Sequence, residues 1–566
     1  DGTIKPKLGA GRYGEGPPMQ VHHNGDFKPI TDGSGLCSAG RWHPQVRKID
    51  AIAERLFDVL WKKLLTVYPD PLALLFQLAA GSHSISPFSE DLLRDGRQAV
   101  MEVLRMDPEG EGSRAVPDQP FYLHLLSVIA RVLDDPDWRV LTESRENYAS
   151  GVRVGFRERL PRTPAVYERK VRWRKYDQDD FALELKANYK STAGHEATIA
   201  EQYAEEERLG MMTSMSMAEA RRIYGDRLRI APTAAIEKSD GAVRTLHDGT
   251  NGPAVNPNLR VRDQSRCPGN SDLKHAIALL HDLPGQSIAL KLDVSKAHRR
   301  FLHKQSDWGL MACRLEDPDT VWLNKVGTFG LGCASYWWGR LFSIVTRSAI
   351  ALARRDLVFQ FLFADDLNIL ASGQQGMRSV VVMVYFLSLV GTPFSWTKVR
   401  GGFQLDWVGY HIDLKSHALG ISVDRARWLV DWIDTALGNG VILVRDLVAV
   451  VGSLSFSVGP LERLRPFLSP VYSWVAVVPA GACLPPPVPV KLALLWIAHK
   501  LRMGGRMMPC RRPADCTREL FRTDAKADKD VIRIGGWETR HTTDTAKARW
   551  FSVQLDSENA PWVMAK

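Results

Sequence analysis

Residues 361–370 read FLFADDLNIL, in which two adjacent acids separate two runs of apolar, strand-favouring side chains. A carboxylate buried without a partner is strongly disfavoured, so Asp365 and Asp366 must either lie on an exposed turn or meet positive charge. The flanking residues predict a tight hairpin with its turn at 364–366. Because successive side chains of a strand point to opposite faces, the two acids need not have equal roles.

A second segment, SIALKLDVSKAHRRF at 287–301, places another acid at the end of a predicted strand. Ile288, Leu290 and Leu292 alternate with less apolar residues, so they would be buried against helices while Asp293 faces the opposite side. If this strand neighbours the hairpin, Asp293 and Asp365 converge on one point.

Converging carboxylates repel each other, and divalent cations relieve that repulsion. Mg²⁺ prefers a few carboxylates together with substrate phosphates and water. We therefore predict a site for two Mg²⁺ ions, with Mn²⁺ as a possible substitute, at the point where Asp293 and Asp365 converge. Two such ions would activate an attacking hydroxyl and stabilise a leaving pyrophosphate. Taken alone, each motif has a simpler interpretation, because ADD is a common tripeptide and an acid often ends a strand.

Composition indicates a large globular protein with an acidic partner. The chain has 566 residues, 45% of them hydrophobic and 24% charged, which excludes a disordered protein and allows a sizeable core. Its net charge of +10 favours nucleic acid as a partner, ahead of an anionic membrane. The two uncharged stretches at 379–397 and 466–490 contain prolines and are too short in apolar residues for a spanning helix, so we expect no membrane insertion.

The seven cysteines are scattered and include no CxxC pair, which excludes a zinc ribbon or finger. They are typical of reduced thiols, and we expect an intracellular location, cytoplasmic or nuclear. No signal peptide is apparent, and the first residue is Asp1, so we expect a fragment or a processed chain.

Patterning along the chain predicts six regions. Residues 1–43 are expected to form a flexible arm, and 44–226 a helical N-terminal region and connector. At about 227 the pattern changes to a strand, a turn at 239–241 and a second strand, followed by alternating strands and helices to 421. Helices are predicted at 422–476, a stiff proline-rich linker or connection at 477–519, and a compact terminal segment at 520–566.

The order of these motifs resembles that of reverse transcriptases, most of all those of retroelements that join the polymerase to a ribonuclease H domain. The resemblance covers 227–475 well and 520–566 in part, and it does not extend to 1–200. It implies an α+β fold of the right-hand polymerase type, with fingers, palm and thumb, a helical N-terminal region, and a partial RNase H-like α/β piece. It also implies RNA-directed DNA polymerase activity on a primer 3′-hydroxyl, with an RNA template, a DNA primer, the RNA–DNA hybrid and dNTPs as partners.

The resemblance carries individual roles onto matching positions. The segments EKSDGAVRTLHDGTN and LDVSKAH imply that Asp293 binds metal and that the triphosphate and its surroundings are contacted by Lys238, Arg244, Val294, Ser295, Lys296, Ala297 and His298. VGTFGLG implies nucleotide and template contacts by Phe329 and Gly330, and FADD implies Asp365 and Asp366 as catalytic metal ligands. VGTPFSWTKV implies that Lys398 protonates pyrophosphate. LDWVGYHID implies a primer grip at Trp407, Val408, Gly409 and Tyr410.

Two positions depart from the family pattern. His298 stands where the family has Phe or Tyr to exclude a ribonucleotide's 2′-hydroxyl, and an imidazole would either block that hydroxyl or bond to it. Thr328 replaces the usual proline. RNA-dependent RNA polymerases usually carry a glycine before the acid pair and a second acid five residues after the first palm aspartate. This chain has Ala364 and His298 at these two positions, which favours DNA synthesis. A nucleic-acid-binding protein without catalysis is the other alternative.

The terminal segment LFRTDAKADKDVIRIGGWETR resembles the opening strands of a ribonuclease H fold, with Asp524 as its first metal acid. We expect this piece to be structural and unable to cleave RNA, and a small hairpin without catalytic meaning is the alternative. Arg299, Arg300 and Arg340 are further candidates for contacts to the nucleic-acid backbone. The sequence predicts neither the oligomeric state nor the role of residues 1–200.

Overall fold

The computed structural model describes residues 20–23, 48–164, 167–169, 184–238, 241–261, 263–265, 267–353, 356–510, 521–528, 531–538 and 549–555. The chain divides into two compact units, Ala39–Cys510 and a second unit formed by Asp1–Ser38 with Arg511–Lys566. Helices and mostly antiparallel strands both contribute, so the fold is α+β, as predicted. Among the described helices, none combines the length and apolar character that crossing a membrane requires.

The α-helices are α1 (Lys48–Val67), α2 (Pro71–Ala80), α3 (Glu90–Leu104), α4 (Leu123–Val132), α5 (Glu196–Arg208), α6 (Met217–Tyr224), α7 (Asn270–His281), α8 (Ala334–Leu352), α9 (Gly373–Leu389), α10 (Val423–Gly438), α11 (Val444–Val458), α12 (Ser469–Val477) and α13 (Val488–Arg502). The strands are β1 (Gln20–His23), β2 (Tyr167–Arg169), β3 (Met212–Ser216), β4 (Ile230–Ala231), β5 (Thr233–Glu237), β6 (Val243–His247), β7 (Asp263–Ser265), β8 (Ser287–Asp293), β9 (Ala312–Cys313), β10 (Thr320–Asn324), β11 (Val358–Phe363), β12 (Asp366–Ser372), β13 (Arg400–Gly402), β14 (Gln404–Trp407), β15 (Tyr410–Asp413), β16 (Ala418–Ile421), β17 (Ile442–Leu443), β18 (Cys483–Leu484), β19 (Met507–Pro509), β20 (Phe521–Asp528), β21 (Val531–Glu538) and β22 (Arg549–Leu555).

The centre of the larger unit is an antiparallel sheet with strand order β11-β12-β8-β13, here called the central sheet. Alternation along β8 sends Leu290 into one apolar core and Ala289 into another, on the opposite face. The first core also contains Leu60 of α1, Leu75 of α2 and Val381 of α9. The N-terminal helices, for which the sequence suggested no role, therefore cover one face of the central sheet.

A second sheet, with strand order β3-β10-β9-β4, draws on the segment predicted to be a helical connector. Its strand β3 pairs with β10, so that Met212 lies opposite Asn324. The predicted boundary at 227 is therefore displaced, because residues before it supply an edge strand and the helix α5. The predicted hairpin that follows is confirmed as β5–β6, in which Thr233 pairs with His247.

The helices α10–α13 enclose a third core, which includes Leu429, Leu454, Val471 and Leu494. Helix α13 lies inside the range predicted to be a linker. The extended conformation that prolines impose ends at Pro487, because Pro489 occupies the first turn of α13, where a missing N–H costs little. The prediction of a stiff extended linker therefore does not hold beyond residue 487.

The smaller unit contains a four-stranded antiparallel sheet with strand order β1-β22-β21-β20. The predicted arm at 1–43 lies outside the described residues except for β1, which is part of this sheet. The hairpin predicted in the terminal segment is β20–β21, with Asp524 exposed and opposite Gly535.

Candidate active site

Three acids meet at one end of the central sheet. Asp293 is the last residue of β8 and Asp366 is the first residue of β12, and the two are opposite one another in the antiparallel register. Asp365 lies in the two-residue turn between β11 and β12, after Ala364, whose φ is +55°. The predicted hairpin and its pairing with β8 are confirmed, with the refinement that Asp366 rather than Asp365 lies opposite Asp293. We call these residues the three-acid site.

Hydrogen bonds to backbone carbonyls fix the three-acid site in place. The indole Nε1 of Trp338, on α8, donates to the carbonyl of Ala364 at 3.1 Å. The amide of Val294 donates to the carbonyl of Asp365 at 3.3 Å, and the amide of Ser395 donates to the carbonyl of Asp293 at 2.8 Å. A buried aromatic side chain and two neighbouring chain segments therefore hold the turn against the end of β8.

Two lysines face the carboxylates. Lys398 Nζ lies 2.7 Å from Asp293 Oδ2, and Lys291 Nζ lies 3.7 Å from Asp366 Oδ1. Burial raises the pKa of Asp365, the charge of Asp293 raises it further, and Lys398 and Arg244 oppose the rise. Burial likewise raises the pKa of Asp366, against the effect of Lys291. Negative charge is therefore held here at a cost, and added positive charge would stabilise it.

The donor set suits a hard divalent cation, because carboxylate oxygens are the preferred ligands of Mg²⁺ and Mn²⁺. The raised pKa values of Asp365 and Asp366 agree with a site that gains from a cation. Within the described part of the chain, however, no three His, Cys, Asp or Glu side chains are grouped closely enough to hold a metal ion. The predicted ligands Asp293, Asp365 and Asp366 lie at the same end of the central sheet. The group that contacts the Asp293 carboxylate is the ammonium of Lys398 and not another carboxylate.

The β5–β6 hairpin brings Arg244 toward the acids. Its exposed guanidinium lies 5.1 Å from the centre of the Phe329 ring, and its charge acts on Asp365. Phe329 in turn meets the ring of His298 edge-on, with 5.0 Å between centroids. Lys238 is exposed at the turn end of the same hairpin, where its amide donates to the carbonyl of Ala242 at 2.9 Å. Arg244, Phe329 and His298 are therefore linked by two successive side-chain contacts.

His298 is largely buried, and burial lowers its pKa, so the imidazole is neutral near pH 7. Its Nδ1 has no hydrogen-bond partner among the described residues. The loop before it is held internally, since the amides of Val294 and Ser295 donate to the carbonyls of Asp365 and Pro393. A phosphate contact by those two amides would require these bonds to break, whereas Lys296, with a φ of +50°, and Ala297 follow at the start of a short 3₁₀ turn.

Gly330 is required by its surroundings. Its φ is +94°, and a Cβ at this position would collide with the carbonyl oxygen of His247. The amide of His247 also donates to the carbonyl of Phe329 at 3.1 Å. Close approach of these two backbones sets the position of the Phe329 ring, and only glycine allows it.

The predicted primer grip is a hairpin of β14 and β15. Trp407 and Tyr410 pair across it, but both side chains are buried, and Tyr410 stacks on Phe456 with 4.5 Å between centroids. The turn residues Val408 and Gly409 have φ values of +49° and +82°, the pattern of a type I′ turn. Contact with a nucleic acid would therefore fall to this turn, while the two aromatic residues anchor it.

Val408 is strained in this turn, because a β-branched residue rarely adopts positive φ. We expect Val408→Asn, which creates the Asn-Gly pair favoured in type I′ turns, to raise the free energy of unfolding by about 1 kcal/mol. Chemical denaturation of wild-type and variant chains measures this directly. As a matched control, Val423→Asn changes an exposed valine outside the turn and should give no gain. Equal or lower stability of Val408→Asn would contradict the strain.

Two of the three arginines predicted to contact the nucleic-acid backbone are not available for that role. Arg340 donates from Nε and Nη2 to Asp137, both at 2.7 Å, inside the core. Arg299 is buried and paired with Glu206. The prediction is wrong for both arginines, because each guanidinium forms an ion pair with a carboxylate of the protein itself. Arg300 is half-buried and donates to the carbonyl of Ser295 at 2.7 Å.

Sequence reasoning missed three residues that support the site, Trp338, Lys291 and Arg425. Lys291 lies two residues before Asp293, and period-two alternation would have placed both on one face. Arg425 lies 4.6 Å over the ring of Phe456 and beside the turn at Gly409. Trp338 gave no signal of its own, since a tryptophan in an apolar helix indicates only burial.

No protein-family model matches the chain, and no curated protein sequence matches it. Among solved structures, similarity is found to the foamy viral protease-reverse transcriptase dRH in complex with ds DNA, at 12% identity and a TM-score of 0.44, over 66% of this chain and 59% of that one. The foamy viral protease-reverse transcriptase with dsDNA gives 12% and 0.44, over 70% and 74% of the two chains. Its complex with RNA/DNA hybrid gives 12% and 0.43, over 69% and 47%. The chain thus spans less than two thirds of the first and third of these.

Proposed function

We propose that the protein is an RNA-directed DNA polymerase of a retroelement, which adds dNTPs to a primer 3′-hydroxyl. The observation that carries the proposal is the meeting of Asp293, Asp365 and Asp366 at one end of two paired strands, with Lys398 and Arg244 facing them. Burial raises the pKa values of Asp365 and Asp366, and none of the three acids is paired with an internal arginine. Such acids are typical of a site that binds a charged ligand.

In this proposal the central sheet is the palm, the β3–β10 sheet with the β5–β6 hairpin forms the fingers, and α10–α13 form the thumb. The terminal sheet is a partial RNase H-like piece in which Asp524 on β20 does not cleave RNA. The net charge of +10 suits a template–primer hybrid, which a polymerase grips through phosphates and shape rather than sequence.

The side chains around the acids then have separable roles. Arg244 and Lys238 neutralise the triphosphate of the incoming nucleotide, as cations do in phosphoryl transfer. Phe329 and His298 line the nucleotide and its sugar, and Gly330 sets their spacing. Lys398 Nζ donates a proton to the leaving pyrophosphate. Two Mg²⁺ or Mn²⁺ ions on the three carboxylates would supply activation of the primer hydroxyl and charge compensation on the pyrophosphate.

Primer extension tests the proposal. The full chain is incubated with oligo(dT) on poly(rA) or on poly(dA), with dTTP or UTP, and with Mg²⁺ or Mn²⁺. We expect metal-dependent incorporation of dTTP on the RNA template, abolished by EDTA. Preference for UTP would instead support an RNA-dependent RNA polymerase, and it would assign the neutral imidazole of His298 a bond to the 2′-hydroxyl.

A nucleic-acid-binding protein without catalysis is the second candidate. It is favoured by the ion pair of Lys398 with Asp293 and by the lack of a preformed group of metal ligands among the described residues. Tight binding of the RNA–DNA hybrid with no incorporation under any metal would establish this candidate and end the polymerase proposal.

A further inference from the structure

We propose that Lys398 is an exchangeable counter-ion of the three-acid site, which a divalent cation displaces from Asp293, whereas Lys291 is a permanent one. This inference rests on the proposed function, since it concerns cation binding at the same acids. It assigns Lys398 a second role in the free protein and gives Lys291 a role that the sequence did not suggest.

The side chain of Lys398 is positioned so that it can move away from Asp293. That side chain is 64% exposed, whereas that of Asp293 is 13% exposed, so the ammonium can move into water while the carboxylate stays. An exposed lysine pair of this kind contributes little stability and is easily exchanged. The backbone is held meanwhile, because Lys398 N donates to the carbonyl of Ser395 and Ser395 N donates to the carbonyl of Asp293, both at 2.8 Å.

The side chain of Lys291 is held beside Asp366 by its position in the central sheet. It projects from β8 on the same face as Asp293 and lies 3.7 Å from Asp366, with both partners less than one third exposed. Its backbone pairs on one side with Asn368 of β12 and on the other with Arg400 of β13. A lysine in the middle of a three-strand register has no loop that could carry it away from the acids.

Charge balance indicates what replaces Lys398. Three carboxylates face two lysines when Lys398 is bound. After its departure Lys291 and Arg244 still act on the acids, but the net negative charge of the site grows by one, which favours binding of a divalent cation there. The displaced ammonium is then free to meet the pyrophosphate.

The first test measures lysine displacement without any catalytic readout. The full chain, without nucleotide or nucleic acid, is labelled by an amine-reactive acetyl ester with and without Mn²⁺, and each lysine is quantified by mass spectrometry. We expect labelling of Lys398 to rise about threefold or more with Mn²⁺. Lys274, which pairs with Glu462 at 2.6 Å, is the internal control and should not change. Unchanged or reduced labelling of Lys398 overturns the inference.

The second test measures Mn²⁺ affinity by calorimetry and electron paramagnetic resonance. Lys398→Gln should tighten binding by about three- to tenfold, because the competing ammonium is gone. Lys398→Arg keeps the charge and adds a bidentate donor, so it should bind Mn²⁺ no more tightly than wild type. Lys274→Gln removes a lysine–carboxylate ion pair elsewhere in the chain and should leave the affinity unchanged.

The two proposals fail separately. Metal-dependent incorporation together with equal Mn²⁺ affinity in wild type and Lys398→Gln overturns the counter-ion role and leaves the polymerase intact. Absence of Mn²⁺ binding in all variants, with no incorporation, removes the proposed function and this inference with it.

Discussion

Replacing Asp365 with asparagine is expected to lower primer extension by about a thousandfold or more while the protein stays folded. The substitution keeps the shape of the side chain and removes the charge at the tip of the β11–β12 turn. In the proposed mechanism that charge holds the cations on which the chemistry depends. Initial rates of dTTP incorporation on poly(rA)/oligo(dT), with saturating Mg²⁺, measure the loss.

Stability should change in the opposite direction. Burial raises the pKa of Asp365 in the folded chain, so the fold disfavours the charged form relative to the unfolded chain. The resulting cost is absent below the unfolded pKa, grows as pH rises from the unfolded towards the folded pKa, and is fully present above the folded pKa. Asp365→Asn removes it, and the midpoint of thermal unfolding should stay equal or rise. Sites that hold function at the expense of stability behave in this way.

Asp424→Asn is the matched control, since that acid is exposed in the first turn of α10 and faces no other acid of the site. It should leave incorporation unchanged. Wild-type rates in Asp365→Asn would contradict the proposed function, and unfolding of Asp365→Asn would contradict the expected stability.

Breaking the ion pair of Arg340 and Asp137 is expected to give the largest loss of stability. Their side chains are 6% and 3% exposed, and the guanidinium donates two hydrogen bonds to the carboxylate. Arg340→Met leaves Asp137 buried and unpaired, which costs about 3–5 kcal/mol of unfolding free energy. Chemical denaturation measures this loss, and adding Asp137→Asn should recover a substantial part of it.

The same variant separates a structural arginine from one that contacts phosphate. A phosphate contact adds about one unit to the slope of log affinity for hybrid against log salt. Because Arg340 is buried, we expect Arg340→Met to leave that slope unchanged under conditions in which it is folded. A slope reduced by about one unit would show that Arg340 reaches the nucleic acid.

The central strands and the acidic hairpin were predictable because their signals are local. Alternation along β8 and the acids at 365–366 fix the two strands and the turn, and their common chemistry suggests that they meet. The pairing of Arg340 with Asp137 was not predictable, since a basic residue on a helix gives no indication of a buried acid some 200 residues away in the chain. Strand β3 was missed for a similar reason, because its partner β10 lies about 100 residues further on.

The N-terminal helices illustrate a further limit. Their 3.6-residue periodicity identified an apolar face but not the surface that it covers. Sequence patterns specify a partner only where a turn or a strand register constrains it. The same difficulty affected residues 488–502, where neighbouring prolines suggested an extended chain and a helix begins instead.

Because α1, α2 and α9 share one core with β8, the helices before residue 164 are an integral part of the folded unit that contains the central sheet. A fragment that held only residues 227–475 would contain a sheet with one apolar face open to water, which favours aggregation. The central sheet is therefore not expected to fold alone, and any protein that keeps it must also keep the N-terminal helices that cover its apolar face.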